Sequence, residues 1–283
     1  MLTRILTGIV ALLIFVPILF FSHTVIFDIA IATASFIGTI ELLKCVGIMS
    51  KYAISAPSML VSFLVPLLIR YVSNEAIMLI VIFYLFYLLY AAVFARKENS
   101  TNDIALCFFA TVFVTISFTS IIITRELPYG DILYLMIFIG AWSTDTFAYF
   151  TGKIFGRHKL PLSIRDVSPN KTIEGIIGGI IFCAAAFVLY GFIVARVNIE
   201  RFANAEPNYI LLACAGIATS VIAILGDLST SAIKRNYNVK DFGSIFPGHG
   251  GILDRFDSVM AVAPVIMIIG AIFLKFSGYG LFT

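Results

Sequence analysis

Charge is what this chain lacks most. Asp, Glu, Lys and Arg make up 12% of its 283 residues, against roughly 25% in a soluble domain. A chain of this length can bury a large core, but so little charge cannot also build a polar skin. With 60% apolar residues and a mean hydropathy of +1.04, much of the surface must face lipid. The net charge of +3 is too small to argue for a nucleic-acid partner, so any nucleotide site must come from local clustering. Cysteine is scarce too. Cys45, Cys107, Cys183 and Cys214 lie in apolar stretches with no C-x-x-C pair. That argues against a disulfide framework or a zinc site and for small buried apolar side chains. Internal repeats and low-complexity linkers are missing. The opening "MLTRILTGIVALLIFVPILFF" has no clear small-x-small cleavage site after it, so it is read as a retained first transmembrane helix rather than a signal peptide.

What is present is a series of long apolar runs. Crossing the hydrocarbon takes about 20 apolar residues. Nine runs qualify, at about 4–21, 26–47, 54–72, 76–95, 104–124, 131–152, 173–196, 208–230 and 257–276. Pro17, Pro57, Pro66 and Pro264 fall inside them, which membrane helices tolerate. The expected fold is an all-α polytopic membrane protein with residues 1–283 forming a single integral membrane domain. Residues 1–130 would be mainly scaffold spans and 131–283 the catalytic half. Orientation follows from the 19 Lys and Arg. With the N-terminus in the cytoplasm, only Arg70, Arg125, Arg196, Arg201 and Lys275 fall outside, and the reverse topology inverts this bias. N-in, C-out is therefore expected. The polar loops at about 153–172 and 231–256 then share the cytoplasmic face, where they can build one site.

The charge gathers in "GDLSTSAIKRNYNVKDFGSIFPGHGGILDRFDS", Gly226–Ser258. If the preceding helix continues, Asp227, Ser231 and Lys234 lie on one face. Asp254 and Asp257, three apart, share a face if "LDRFDS" starts the last span. Two carboxylate sets at membrane depth are costly unless paired or coordinated. Acidic oxygens beside basic groups suit Mg²⁺ bound together with substrate phosphates, with Lys234, Arg235, Lys240 and Arg255 clamping the remaining oxygens. The bland alternative is a set of salt bridges capping two helix ends. "FPGHGG" is rich in glycine, which lets backbone N–H groups approach phosphate closely, although Gly and Pro also simply make turns. His249, between Gly248 and Gly250, is a phosphate contact or proton carrier. Asp241 beside Lys240 is read as a simple pair.

A second stretch is "AWSTDTFAYFTGKIFGRHKLPLSIRDVSPNKTIEG". Asp145 lies inside an apolar span beside Trp142 and Tyr149 and is a site residue by default, with a helix–helix hydrogen bond to a Thr as the structural alternative. "GRHK" doubles as a positive-inside flank. In "SPNKTIEG", Ser or Asn followed by Glu174 is an N-cap pattern, and a helix start with Ser168, Lys171 and Thr172 is also an anion site. Glu41 and Lys44, three apart, are expected to pair. His23 is expected to have no role, and "FYLFYLLY" (Phe83 to Tyr90) is expected to face lipid or a neighbouring helix.

These residues resemble the bacterial phosphatidate cytidylyltransferases, also called CDP-diacylglycerol synthases. "SAIKRNYNVKDFGSIFPGHGGILDRFD" carries every fixed position of that family's signature, at Ser231, Lys234, Arg235, Lys240, Asp241, Pro247, His249, Gly250, Gly251, Asp254, Arg255 and Asp257. "GKIFGRHKL", "SPNKTIEG" and the D-x-x-A-Y around Asp145 are similar as well. The matched blocks cover about 142–175 and 226–258. Departures are Thr230, where the family often has an acidic residue, and Ile173, where it has an aromatic one. The resemblance implies conversion of CTP and phosphatidic acid to CDP-diacylglycerol and pyrophosphate, in phospholipid biosynthesis at the bacterial inner membrane. It also implies Mg²⁺, with K⁺ as an accompanying ion, and a homodimer. By resemblance Asp227, Asp254 and Asp257 are the metal ligands.

The chemistry expected is attack by the lipid phosphate on the α-phosphorus of CTP. A phosphate oxyanion is already a competent nucleophile, so catalysis reduces to positioning and charge neutralisation. Asp227, Asp254, Asp257, Lys234, Arg235 and His249 form the expected catalytic set. Ser168, Lys171, Thr172, Ser231, Lys240, Gly250, Gly251, Arg255 and Asp145 form the expected substrate set. Three other readings remain: a CTP-dependent lipid kinase acting on a polyprenol or phytol, a CDP-archaeol synthase, and a cation transporter. Transport would spread polar residues through several spans, whereas here they gather near one face beside basic groups.

Overall fold

The structure is a computed structural model that describes residues 13, 15–197, 207–275 and 281. Among these residues all regular structure is helical: α1 (Val25–Cys45), α2 (Tyr52–Leu68), α3 (Asn74–Phe94), α4 (Thr101–Glu126), α5 (Gly130–Phe155), α6 (Leu162–Arg165), α7 (Ile173–Arg196), α8 (Tyr209–Asn236) and α9 (Leu253–Lys275). Seven of them are long and apolar enough to cross a membrane: α1, α3, α4, α5, α7, α8 and α9. The apolar α2 is shorter, at 17 residues. The predicted span at about 4–21 lies mostly outside the described residues, of which 15–20 are helical. All four cysteines carry free thiols.

The helices form where apolar runs of spanning length occur, and several of their hydroxyl side chains are satisfied within the same helix. Ser58, Thr111, Ser117 and Ser120 each donate to the carbonyl four residues back, which removes the cost of a bare hydroxyl in lipid. Pro57 and Pro66 sit inside α2 and Pro264 inside α9.

The chain divides into two compact units. The first contains residues 1–123 and 236–256. Its core is built on Phe27, Leu42, Leu43, Ile54, Leu88 and Phe118. A polar knot crosses it, with Ser58 Oγ 2.7 Å from the Tyr84 hydroxyl and 2.9 Å from Cys107 Sγ, while Tyr84 donates to Thr111 at 2.9 Å. Along Phe83–Tyr90 most side chains are exposed, as expected of a lipid-facing stripe. Tyr84 and Leu88, four apart, turn inward. Fully buried Asp28 receives the Tyr71 hydroxyl at 2.7 Å and pairs with Arg70 at 3.3 Å.

The second unit contains residues 124–235 and 257–283. Ile132, Met136, Ile137, Ala141, Phe187 and Leu212 form its core. Here α5 and α7 approach closely through small residues. A Cβ at Gly178 would lie 2.2 Å from Thr151 Oγ1, and one at Gly175 would lie 2.7 Å from the Ala148 carbonyl. Small residues at such contacts let membrane helices come together.

Candidate active site

In the second unit, Asp145, Tyr149 and Lys153 are spaced four residues apart and so share one face of α5. After α5 the chain loops back to the start of α7. Ile173 N donates to the His158 carbonyl at 3.0 Å. Glu174 accepts from His158 N at 3.1 Å and lies 2.6 Å from its Nδ1. The helix cap is Thr172, whose Oγ1 accepts from Gly175 N at 3.1 Å. The expected capping pattern from Ser168 or Asn170 is therefore displaced to Thr172. Glu174 falls one residue short of the N3 position that a capping box needs, so it binds His158 instead.

The helix before the signature does continue: α8 runs to Asn236, with Lys234 and Arg235 in its last turn. Ser231 donates to Asp227 Oδ1 at 3.4 Å, as one turn of separation requires. Lys171 reaches Asp227 Oδ2 at 2.6 Å. Asp145 accepts from Ser258 at 2.9 Å, not from a Thr. Asp257 accepts from the Ser258 amide at 2.8 Å and lies within electrostatic reach of Asp227, Asp145 and Lys234. Gly226 allows this closeness, because a Cβ there would meet Ala261 Cβ at 2.4 Å and the Asp257 carbonyl at 3.2 Å.

Asp145, Tyr149, Lys153, Asn170, Lys171, Thr172, Ile176, Ile224 and Asp227 line a cavity of about 530 Å³. Its lining combines the Asp145 and Asp227 carboxylates and the Lys153 and Lys171 ammonium groups with apolar side chains such as Ile176 and Ile224. That combination suits a ligand with phosphate at one end and hydrocarbon at the other. Lys153 also stands over the Tyr149 ring at 5.8 Å. Of the expected residues, Asp145, Lys171, Thr172 and Asp227 converge on this cavity. Ser231 touches Asp227, and Lys234 is buried on α8. Arg235 is exposed, and Ser168 lies half-buried in the preceding loop.

The remaining expected residues belong to the first unit. Lys240, Asp241 and Arg255 are exposed, and His249 is half-buried. The "HGG" loop folds onto carboxylates of its own unit. Gly250 adopts φ +83°, and a Cβ there would lie 2.7 Å from Asp254 Oδ2. Asp254 is buried and accepts from Phe242 N at 2.8 Å and Gly251 N at 2.9 Å. His249 N donates to the Phe246 carbonyl at 2.8 Å. The His249 and Gly251 amides are thus committed inside the loop.

Glu41 was expected to pair with Lys44. Instead it accepts from Ile252 N at 3.0 Å and Leu253 N at 2.9 Å. Two orphan amides at the start of α9 outcompete an exposed lysine. Sequence reasoning also missed Ser258, Asn170 and Lys153. Glu41 carried the same signal as Asp145, an acid inside an apolar run, and Ser258 directly follows Asp257.

Relatives place this arrangement. A phosphatidate cytidylyltransferase of Staphylococcus haemolyticus is 36% identical over 271 residues, 94% of this chain and 97% of the relative. Those of Staphylococcus epidermidis and Staphylococcus aureus are 36% and 34% identical over 272 and 274 residues, again 94% of this chain and 97% of each relative. The cytidylyltransferase family model matches residues 2–273, and with a match over nearly its whole length the chain belongs to that family.

Proposed function

We propose that this protein is a nucleotidyltransferase that converts CTP and phosphatidic acid to CDP-diacylglycerol and pyrophosphate, the activity named for its relatives. The observation that carries this reading is the Lys171–Asp227 pair at 2.6 Å in a mostly apolar cavity. An oxygen of the lipid phosphate forms a bond to the α-phosphorus of CTP, and the bond from that phosphorus to the bridging oxygen of pyrophosphate breaks. The attacking oxyanion needs no strong base, so the residues act by binding and orienting. Lys171 leaves Asp227 to bind phosphate, Thr172 and Ser231 donate hydroxyl bonds, and Lys234 and Arg235 balance polyphosphate charge; Lys240 and Arg255 are phosphate-binding by the family resemblance alone. The apolar side of the cavity leaves the acyl chains in the bilayer.

The acids fit Mg²⁺ held jointly with substrate. Asp145, Asp227 and Asp257 act on one another's charge, a repulsion that a cation relieves. Among the described residues no three His, Cys, Asp or Glu side chains form a metal cage of their own. This agrees with the preference of Mg²⁺ for one or two carboxylates, water and substrate phosphates. Asp227 and Asp257 would hold it; Asp254 is a ligand by the family resemblance alone. Bound there it would neutralise phosphate charge, and K⁺ would be a companion ion. The nine apolar runs support nine spans, and the Lys and Arg distribution supports a cytoplasmic N-terminus, an outer C-terminus and a site open to the cytoplasm. The family resemblance supports a homodimer.

The test is incubation of the purified protein with Mg²⁺, phosphatidate and α-labelled CTP. Label in the lipid, with release of pyrophosphate, is expected. Label left in CDP with phosphate transferred from the γ position would instead assign a lipid kinase.

A further inference from the structure

We infer that Glu41, far from the signature in sequence, is a positioning residue that sets the orientation of Asp254. All the groups concerned belong to the first unit. Three successive amides open α9, and two carboxylates divide them. Gly251 N goes to Asp254, while Ile252 N and Leu253 N go to Glu41. Asp254 also takes Phe242 N, so the loop is tied at both ends to a pair of acids.

The loop is shaped around Glu41. A Cβ at Gly251 would lie 2.1 Å from Glu41 Oε1, and a Cβ at Gly243 would lie 2.2 Å from the same oxygen. Both glycines therefore leave room for this carboxylate. Glu41 is 4% exposed and feels the negative charge of Asp254. Two like charges so placed are tolerated because each accepts two backbone amides, Glu41 from Ile252 and Leu253 and Asp254 from Phe242 and Gly251. The amides of Gly251, Ile252 and Leu253 at the start of α9 are thus held by protein carboxylates. If Glu41 becomes Gln, one of the two oxygens becomes an NH₂ donor, so one of Ile252 N and Leu253 N loses its acceptor, and the remaining carboxylate, Asp254, is drawn toward it and out of its present orientation.

The inference rests on the proposed reaction, and the experiment separates the two. Wild-type protein, Glu41→Gln and Gly243→Ala are compared by label transfer from CTP and by amide hydrogen exchange across residues 249–256. Gly243→Ala crowds Glu41 without altering any charge. Both variants are expected to lose kcat by about tenfold or more with the KM for CTP within threefold, since an ångström of misplacement acts on the chemical step. Faster exchange at Ile252 or Leu253 is expected in both. Normal kcat in either folded variant overturns the inference, as does a raised KM with normal kcat, or unchanged exchange. If Glu41→Gln does not fold, Gly243→Ala decides alone. A wild-type protein that fails to label lipid removes the proposed reaction, and the exchange result still judges Glu41.

Discussion

Gly226→Ala probes how α8 and α9 set the spacing of Asp227 and Asp257. The added methyl would sit 2.4 Å from Ala261 Cβ and 3.2 Å from the Asp257 carbonyl. Carbon atoms pack at about 3.5–4.0 Å, so the two helices must separate by more than about 1 Å at this level. Overpacking of this kind costs about 1–3 kcal/mol, which a folded membrane protein can survive. The catalytic effect is larger, because a misplacement of about 1 Å costs roughly 100-fold in rate. Gly226 is followed directly by Asp227 and packs one residue-layer from Asp257, so the displacement falls on the proposed metal ligands. The assay is label transfer from CTP, with thermal unfolding in detergent measured alongside. A variant that unfolds a few degrees early yet turns over within threefold of wild type would refute the claim that helix spacing sets this site.

Other substitutions address single groups. Asp227→Asn keeps the volume but removes the charge, and Mg²⁺-dependent turnover should vanish while the protein still inserts; near-normal turnover would sink the metal assignment. Lys171→Met should raise the KM for CTP about 10- to 100-fold, the equivalent of one charge-assisted hydrogen bond of about 1.5–3 kcal/mol, and an unchanged KM would remove Lys171 from the phosphate site. Ser258→Ala takes the hydroxyl from Asp145, so it should lower stability by a similar ~1.5–3 kcal/mol; unchanged unfolding and turnover would show that this bond orders nothing. Gly250→Ala forces φ +83° on an alanine and a contact with Asp254. It should cost at least ~1–2 kcal/mol, read by unfolding, along with turnover.

Some of the site could be read before any coordinates. The spacing of Asp227 and Ser231 predicted a shared face, and they are joined because α8 continues through them. Asp145 was flagged as an acid in an apolar run, and it lines the cavity. The cap at Thr172 was harder to place. Ser168, Asn170 and Thr172 all have capping side chains, and the choice of Thr172 goes with contacts from the loop's other end, His158 to Ile173 and Glu174.

The sequence by itself determined the all-helical class with long apolar helices, the family and the residue types that gather near the signature. Those follow from composition, run length and local spacing, which act between near neighbours in the chain. Tertiary structure decided the partners: Lys171 on Asp227, Ser258 on Asp145, and Glu41 across more than 200 residues on the amides of Ile252 and Leu253. A carboxylate in an apolar run must find donors. Which donors it finds depends on what folding brings within 3 Å, and no period in the sequence records that.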